Sequence, residues 1–326
     1  TVVRKALYWV VQIDWQRFSL DIGARIEQLK GKTTRKGINT YQVPNSSHLH
    51  ALLQTSKSIN DDVTAANVSD SAASFAIGAV YKLTEQINLF ANYSDSFSFP
   101  QLRTIQLDEN LTPNSFEEER LTLAEAGLKL SFANMHANIS TLYSTLTDRR
   151  LYNFVNAPDG GITEQIDNVA TRMTGIQGSL HWQLTDRLQL NTHLTYQDLQ
   201  YTEFDRDLSF VGNQPVRTAD WIWDLALNYH GNNWYAALNN TFQSDTFANN
   251  ANTITLDAFH LTSANIGYDF ASPNNLSIEL AISNLFNSQG ITEGSPRQGD
   301  HQSANEYFVG RPVLPRRFHL SLRYQF

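Results

Sequence analysis

Two histidines, His48 and His50, stand two residues apart in a stretch that also carries Lys30, Lys32, Arg35 and Lys36. Imidazoles beside that many cations suit an anionic ligand or a haem. A second group gathers near the C-terminus: Arg297, Asp300, His301, Glu306, Tyr307 and Arg311. Arginine and tyrosine together clamp planar anions by charge and by stacking. The candidate ligand-binding residues are therefore His48, His50, Arg297, His301, Tyr307 and Arg311, with an ordinary solvated loop as the plainer reading of each group. Glu117, Glu118 and Glu119 could offer oxygen atoms to a hard cation, against the simpler reading of a solvated charge run. The chain has no cysteine, so thiolate metal sites, disulfides and thiol nucleophiles are excluded. No Gly-x-Ser-x-Gly element is present, and nothing ties a serine, a histidine and an aspartate together, so no enzyme and no cofactor is expected. A net charge of −8 argues against a nucleic-acid partner, which calls for a basic stripe.

The elements that carry these residues follow a period of two. At the C-terminal end Phe318, Leu320, Leu322, Tyr324 and Phe326 alternate with Arg317, His319, Ser321, Arg323 and Gln325. Leu188, Leu190, Leu194 and Tyr196 alternate with Gln189, Asn191, His193 and Gln197, and Trp221, Trp223, Leu225, Leu227 and Tyr229 follow the same rule. Successive side chains of a strand point to opposite faces, so each segment is β with one apolar and one polar face. About thirteen such strands are expected, at 6–14, 17–29, 74–83, 86–96, 121–132, 135–148, 172–184, 187–199, 218–230, 233–244, 258–270, 275–286 and 315–326. Most meet the 9–11 residues a tilted strand needs to cross a bilayer.

Short and long connections alternate. Tight turns fall at 14–17, 83–86, 132–135, 184–187, 230–233 and 271–274, and long loops at 30–73, 97–120, 149–171, 200–217, 245–257 and 287–314. One end of the sheet thus carries turns and the other carries loops, the asymmetry of bacterial outer-membrane barrels. Aromatics gather near the turns: Tyr8, Trp9, Trp15, Phe18, Trp182, Trp234, Tyr235, Tyr268, Phe270, Tyr324 and Phe326. Rings with a polar tip favour the lipid–water boundary. The expected fold is all-β, a transmembrane antiparallel up-and-down β-barrel with its apolar set toward lipid and its polar set toward a wet interior.

Five stretches resemble the barrel of TonB-dependent outer-membrane receptors. They are Tyr8 to Trp15 followed by Gly23-x-Arg25-x-Glu27; Ile87 to Ser94 followed by Phe97 to Pro100; Glu125-x-Gly127-x-Lys129; Asn284-Leu285-Phe286-Asn287; and the closing strand Arg316 to Phe326. The resemblance implies a 22-stranded barrel behind an N-terminal plug. On that reading residues 1–326 are a C-terminal portion of the barrel, about 13 of 22 strands, with the plug absent; a smaller complete barrel with one missed strand is the alternative. It further implies a Gram-negative outer membrane and uptake of a siderophore or other scarce nutrient, with the ferric siderophore foremost. The implied partners are the TonB–ExbB–ExbD system acting through the plug, outer-membrane lipid, and the barrel-assembly machinery, which would recognise Phe326. A passive porin-like channel is the other functional class.

Overall fold

The computed structural model describes residues 2–46, 55–100, 118–156, 162–270, 276–296, 301–303, 305 and 308–324. Seventeen strands are present among them: β1 (Val2–Trp15), β2 (Phe18–Gln42), β3 (Thr55–Lys82), β4 (Ile87–Ser98), β5 (Glu119–Phe132), β6 (Met135–Asn156), β7 (Ile162–Thr185), β8 (Leu188–Phe204), β9 (Trp221–His230), β10 (Trp234–Gln243), β11 (Thr246–Phe247), β12 (Thr255–Leu256), β13 (Phe259–Asp269), β14 (Leu276–Ser283), β15 (Ile291–Pro296), β16 (Phe308–Pro312) and β17 (Arg317–Tyr324). Thirteen form one sheet in the order β1 to β10, β13, β14, β17. Every neighbouring pair in it is antiparallel. The count equals the one the alternation predicts. The pairs β11–β12 and β15–β16 are small hairpins inside two of the long connections.

Register sorts the side chains into two faces. One line of direct partners runs Ile13, Leu20, Ala79, Ala91, Ala126, Thr141, Ile176, Tyr196 and Trp221 across nine strands. Large apolar side chains stand open on this outward face: Leu7, Ile139, Ile176, Ile266, Leu320 and Leu322 are exposed on five different strands. No second layer covers them, so nothing within the described residues offers that surface a core.

Aromatics edge the outward face in two belts. At the turn end lie Trp15, Phe18, Tyr81, Phe132, Trp182, Tyr229, Trp234, Tyr268 and Tyr324, with Tyr229 stacked on Trp234 at 4.3 Å. At the loop end lie Phe75, Tyr93, Tyr143, Tyr196 and Trp221, paired as Phe75–Tyr93 at 5.7 Å and Tyr196–Trp221 at 4.6 Å. Phe75 and Tyr81 sit six residues apart on β3, roughly 20 Å along the strand. The loop-side belt had no signal in the turn spacing. Tyr8 and Tyr235 depart from expectation: their register places them on the inward face.

Two strand boundaries also differ from expectation. Residues 30–73, read from sequence as the longest loop, are largely the continuation of β2 and β3, paired out to Gln42–Thr55. Likewise β6 and β7 run into 149–171 as far as Asn156 and Ile162. Beyond the apolar band the strict alternation lapses, as in Arg149-Arg150-Leu151-Tyr152, so the period-two signal vanishes although the ladder continues. At 25 residues β2 spans roughly 80 Å, more than twice the 9–11 residues a tilted strand needs to cross the apolar band.

The sheet has two edges, β1 and β17. Both run from the loop end toward the turn end, so direct pairing between them would be parallel. Continuing the antiparallel alternation from one edge to the other takes an odd number of further strands.

Candidate functional site

The inward face is built from the polar half of each strand, and the recurring sequence signatures sit on it at every second residue. Gly23, Arg25 and Glu27 face inward on β2; Glu27 is buried and takes ion pairs from Arg25 and, at 3.8 Å, from Arg4. Glu125, Gly127 and Lys129 face inward on β5. The carboxylate of Glu125 accepts from Asn92 Nδ2 on one side and Gln177 Nε2 on the other, both at 3.3 Å. Lys129 lies over the Phe90 ring, 4.9 Å from its centroid. That ring crosses Gly127 toward Ser140. On β10, Tyr235 lies across its partner Gly267 and donates its hydroxyl to Glu279 on β14. In both places a glycine leaves the floor open for an aromatic ring to span a strand.

At the loop end three connections pack together. Tyr201 and Phe204 of β8 meet Phe210 of a single 3-10 turn, Leu208–Phe210, with Val169 of β7. The β11–β12 hairpin contributes Ala248, Ile254 and Leu256, which pack on Ile291 and Phe308 of β15 and β16. Asn249 is the polar hub, with no exposed surface. Its Oδ1 accepts from the amides of Thr253 and Ile254, each 3.1 Å away, while its Nδ2 donates to Thr253 Oγ1 and to the Gln302 carbonyl. Asn252 and Gln214 exchange two hydrogen bonds, 2.8 and 2.9 Å, that tie the β8–β9 connection to this hairpin. The Asn284-Leu285-Phe286-Asn287 signature belongs to the same framework. Asn284 and Asn287 take positive φ, 49° and 54°, which asparagine tolerates better than most residues. Asn284 also donates to the carbonyls of Ser288 and Leu314.

Of the six candidate ligand residues, His301 and Arg311 fall within the described part, and both lie at this loop end. His301 Nε2 donates to Asp207 Oδ2 at 2.6 Å, and its ring lies 4.9 Å from that of Phe210. Arg311 pairs with Glu293 at 3.2 Å, and Arg217 pairs with the other oxygen of the same carboxylate. His48, His50, Arg297 and Tyr307 lie outside the described residues, as does Phe326. Asp207, Arg217 and Glu293 were missed by sequence reasoning; the first two lie in the β8–β9 connection and the third on β15, and only the fold brings them to His301 and Arg311. Of the acidic run, Glu118 pairs with Arg120 at 3.2 Å, Arg120 also reaches Asp95 at 2.7 Å, and no cation is needed to explain Glu118.

Two loop acids are perturbed in opposite directions. The hydroxyl of Ser209 first, then the His301 ring and the Ser209 amide, lower the Asp207 carboxyl to about 2. Burial, then the nearby Asp198 and Asp245, raise that of Asp220. A lowered folded-state value means Asp207 contributes stability above the ordinary aspartate range, near pH 3.9, and loses it as pH falls toward 2. With spin labels at Leu208 and Asn305, the distance distribution should hold from pH 7 to 4 and broaden below about 3. Asp207→Asn should be broad already at pH 7; a narrow, pH-independent distribution in that variant would show the clasp to be idle.

The family described as TonB dependent receptor-like, β-barrel, matches residues 1–285. The chain belongs to this family of TonB-dependent receptors. An uncharacterized TonB-dependent receptor of Haemophilus influenzae is 29% identical over 140 residues, 43% of this chain and 38% of that protein. Among solved structures, the ferric yersiniabactin uptake receptor FyuA of Yersinia pestis superposes with a TM-score of 0.75 at 14% identity, over 100% of this chain and 46% of that one. The copper transporter OprC gives 0.69 at 17% identity, over 100% and 48%. At such identities the structures establish a shared fold. This TonB-dependent receptor chain spans less than half the length of each of these relatives. The family consists of receptors, which agrees with the expectation of no enzyme.

Proposed function

We propose that the chain is barrel wall from the C-terminal part of a TonB-dependent uptake receptor in a Gram-negative outer membrane. Its outward face meets lipid and its loop end meets an incoming ferric siderophore. The observation that carries this reading is the division of thirteen strands into an exposed apolar face, edged by two aromatic belts, and a hydrogen-bonded polar face. Backbone groups in lipid must pair within the sheet. The edges β1 and β17 therefore call for more strands, which the remainder of the receptor supplies, and the plug and TonB-contacting segment come from there too. Barrel assembly engages Phe326.

At the loop end, Arg217 and Arg311 bracket Glu293 and leave one net positive charge, with Arg311 77% exposed. A guanidinium pair suits an anionic chelate through bidentate, planar contacts. We assign ligand contact to this pair together with His301, and to His48, His50, Arg297 and Tyr307 from the same family of loops. In the full-length receptor, the double variant Arg217→Glu, Arg311→Glu should bind a ferric siderophore at least ~10-fold more weakly, since a hydrogen bond to a charged group is worth about 1.5–3 kcal/mol. Ligand affinity unchanged in that variant, with outer-membrane levels normal, contradicts the assignment.

A further inference from the structure

Far from the loop end, two inward rows next to the tight turns stand apart in charge. One line of direct partners runs Lys82, Asn88, Lys129, Asn138, Ser179 and His193 across β3 to β8. The row nearer the turns runs Ser131, His136, His181 and Asn191 across β5 to β8. Neither row holds an acid, although the chain as a whole carries −8. Glu85 and Asp186 stand in the turns themselves, and Asp224 faces His193 from β9. Glu125 lies four residues up β5 from Lys129, roughly 13 Å along the strand. A wall patch of one sign raises the local concentration of the opposite ion, here an anion.

Within these rows lies a recess that Asn88, Lys129, His136, Asn138 and Ser179 line, and no carboxylate lines it. Lys129 supplies its charge. The ammonium rests over the Phe90 ring and makes no ion pair among the described residues. His136 has its Nδ1 3.0 Å from Ser131 Oγ. A hydroxyl that donates there leaves the imidazole proton on Nε2, where it is a donor. Asn138, the direct partner of Lys129, holds the orphan: its Oδ1 is buried and has no hydrogen-bond partner among the described residues. A buried acceptor of that kind calls for a hydrogen from a water or a ligand. The recess thus offers one cation with N–H and O–H donors, and asks for one hydrogen in return. Sulfate only accepts. Among tetrahedral oxyanions, hydrogen phosphate matches both halves, accepting through its bare oxygens and donating through its P–OH.

We propose that this recess on the inner wall binds inorganic hydrogen phosphate: Lys129 meets its charge, Asn88, His136 and Ser179 donate to its oxygens, and Asn138 Oδ1 accepts from its P–OH. The site needs the inward face to be wet, a point that spin labels along β8 test by themselves. The test uses the full-length receptor extracted from outer membranes into detergent, in phosphate-free buffer at about pH 8, where sulfate and methyl phosphate carry no proton and inorganic phosphate keeps one. Calorimetric titration with each anion reads the affinities. Phosphate should bind at least ~10-fold more tightly than sulfate or methyl phosphate, the scale of one hydrogen bond to a charged group. Lys129→Gln should weaken phosphate at least ~10-fold, and Lys129→Arg, which keeps the charge, should restore it. Asn138→Leu should bring phosphate down to the level of sulfate while sulfate binding stays, a change of selectivity that requires a folded site. The proposal is overturned if the parent protein binds no phosphate or does not prefer it to sulfate, if Lys129→Gln binds it as before, or if Asn138→Leu keeps the preference.

Discussion

Ile139→Arg should destabilise the inserted barrel by about 2–4 kcal/mol, the range for a cation on the lipid face at midplane. Ile139 is 50% exposed on the outward face, between Leu128 on β5 and Gly178 on β7, and lies midway along β6 between Tyr143 of the loop-end belt and Met135, the partner of Trp182 in the turn-end belt. Gln177, one residue before its partner Gly178, faces inward and reaches Glu125. Gln177→Arg therefore puts the same charge beside a carboxylate in a wet interior and should cost less than about 1 kcal/mol, the scale of a solvated ion pair. Urea unfolding of the full-length receptor in lipid vesicles measures both. Equal losses would mean that the two faces do not meet different solvents.

Gly127→Ala should be nearly as damaging although it adds one methyl group. A Cβ there would stand 2.8 Å from Ser140 Cβ and 2.9 Å from the Phe90 ring, and closer still to the carbonyl oxygen of Ile139. The last contact is backbone in the β5–β6 ladder and cannot swing aside. Overpacking of this kind costs about 1–3 kcal/mol. It should also lift Phe90 off Gly127 and end the Lys129–Phe90 contact. Gly178, on the outward face, is the control: its nearest neighbour would be 3.7 Å away, so Gly178→Ala should change stability by less than about 0.5 kcal/mol. The same unfolding titration reads both, and equal effects would mean the inner wall at Gly127 has slack the geometry denies.

The sheet was legible in the sequence because one solvent difference writes a period of two. Where β8 passes between lipid and a wet interior, Leu190, Leu194 and Tyr196 alternate strictly with Gln189, Asn191 and His193, and the strand is found where the alternation is. Above the belts that difference disappears. Lys30 to Gln42 and Thr55 to Ser69 pair as a long hairpin, yet its few apolar residues no longer alternate with polar ones, and the sequence offers a loop. The inner wall was half legible. Glu125, Gly127 and Lys129 could be placed on one face from spacing alone, but not the reason for the glycine, which depends on a ring from β4. The loop end was least legible. His301 and Arg311 were singled out for their chemistry, whereas Asp207 lies 94 residues from His301 and meets it only through the packing of separate connections, and Glu293 lies 18 residues from Arg311 and faces it across the β15–β16 hairpin. Asn249, the residue that ties those connections together, carries no signal of its own in an asparagine-rich stretch.

The division of faces is tested most directly along β8, and the lack of native cysteine in this chain makes that possible. Single cysteines at positions 189 to 196, each spin-labelled in the full-length receptor in lipid vesicles, report collisions with oxygen, which concentrates in lipid, and with a water-soluble nickel chelate. Labels at Leu190, Thr192, Leu194 and Tyr196 should favour oxygen, and those at Gln189, Asn191, His193 and Thr195 should not, giving a strict two-residue period. A flat profile, or oxygen maxima at the odd positions, would contradict the membrane-wall account outright.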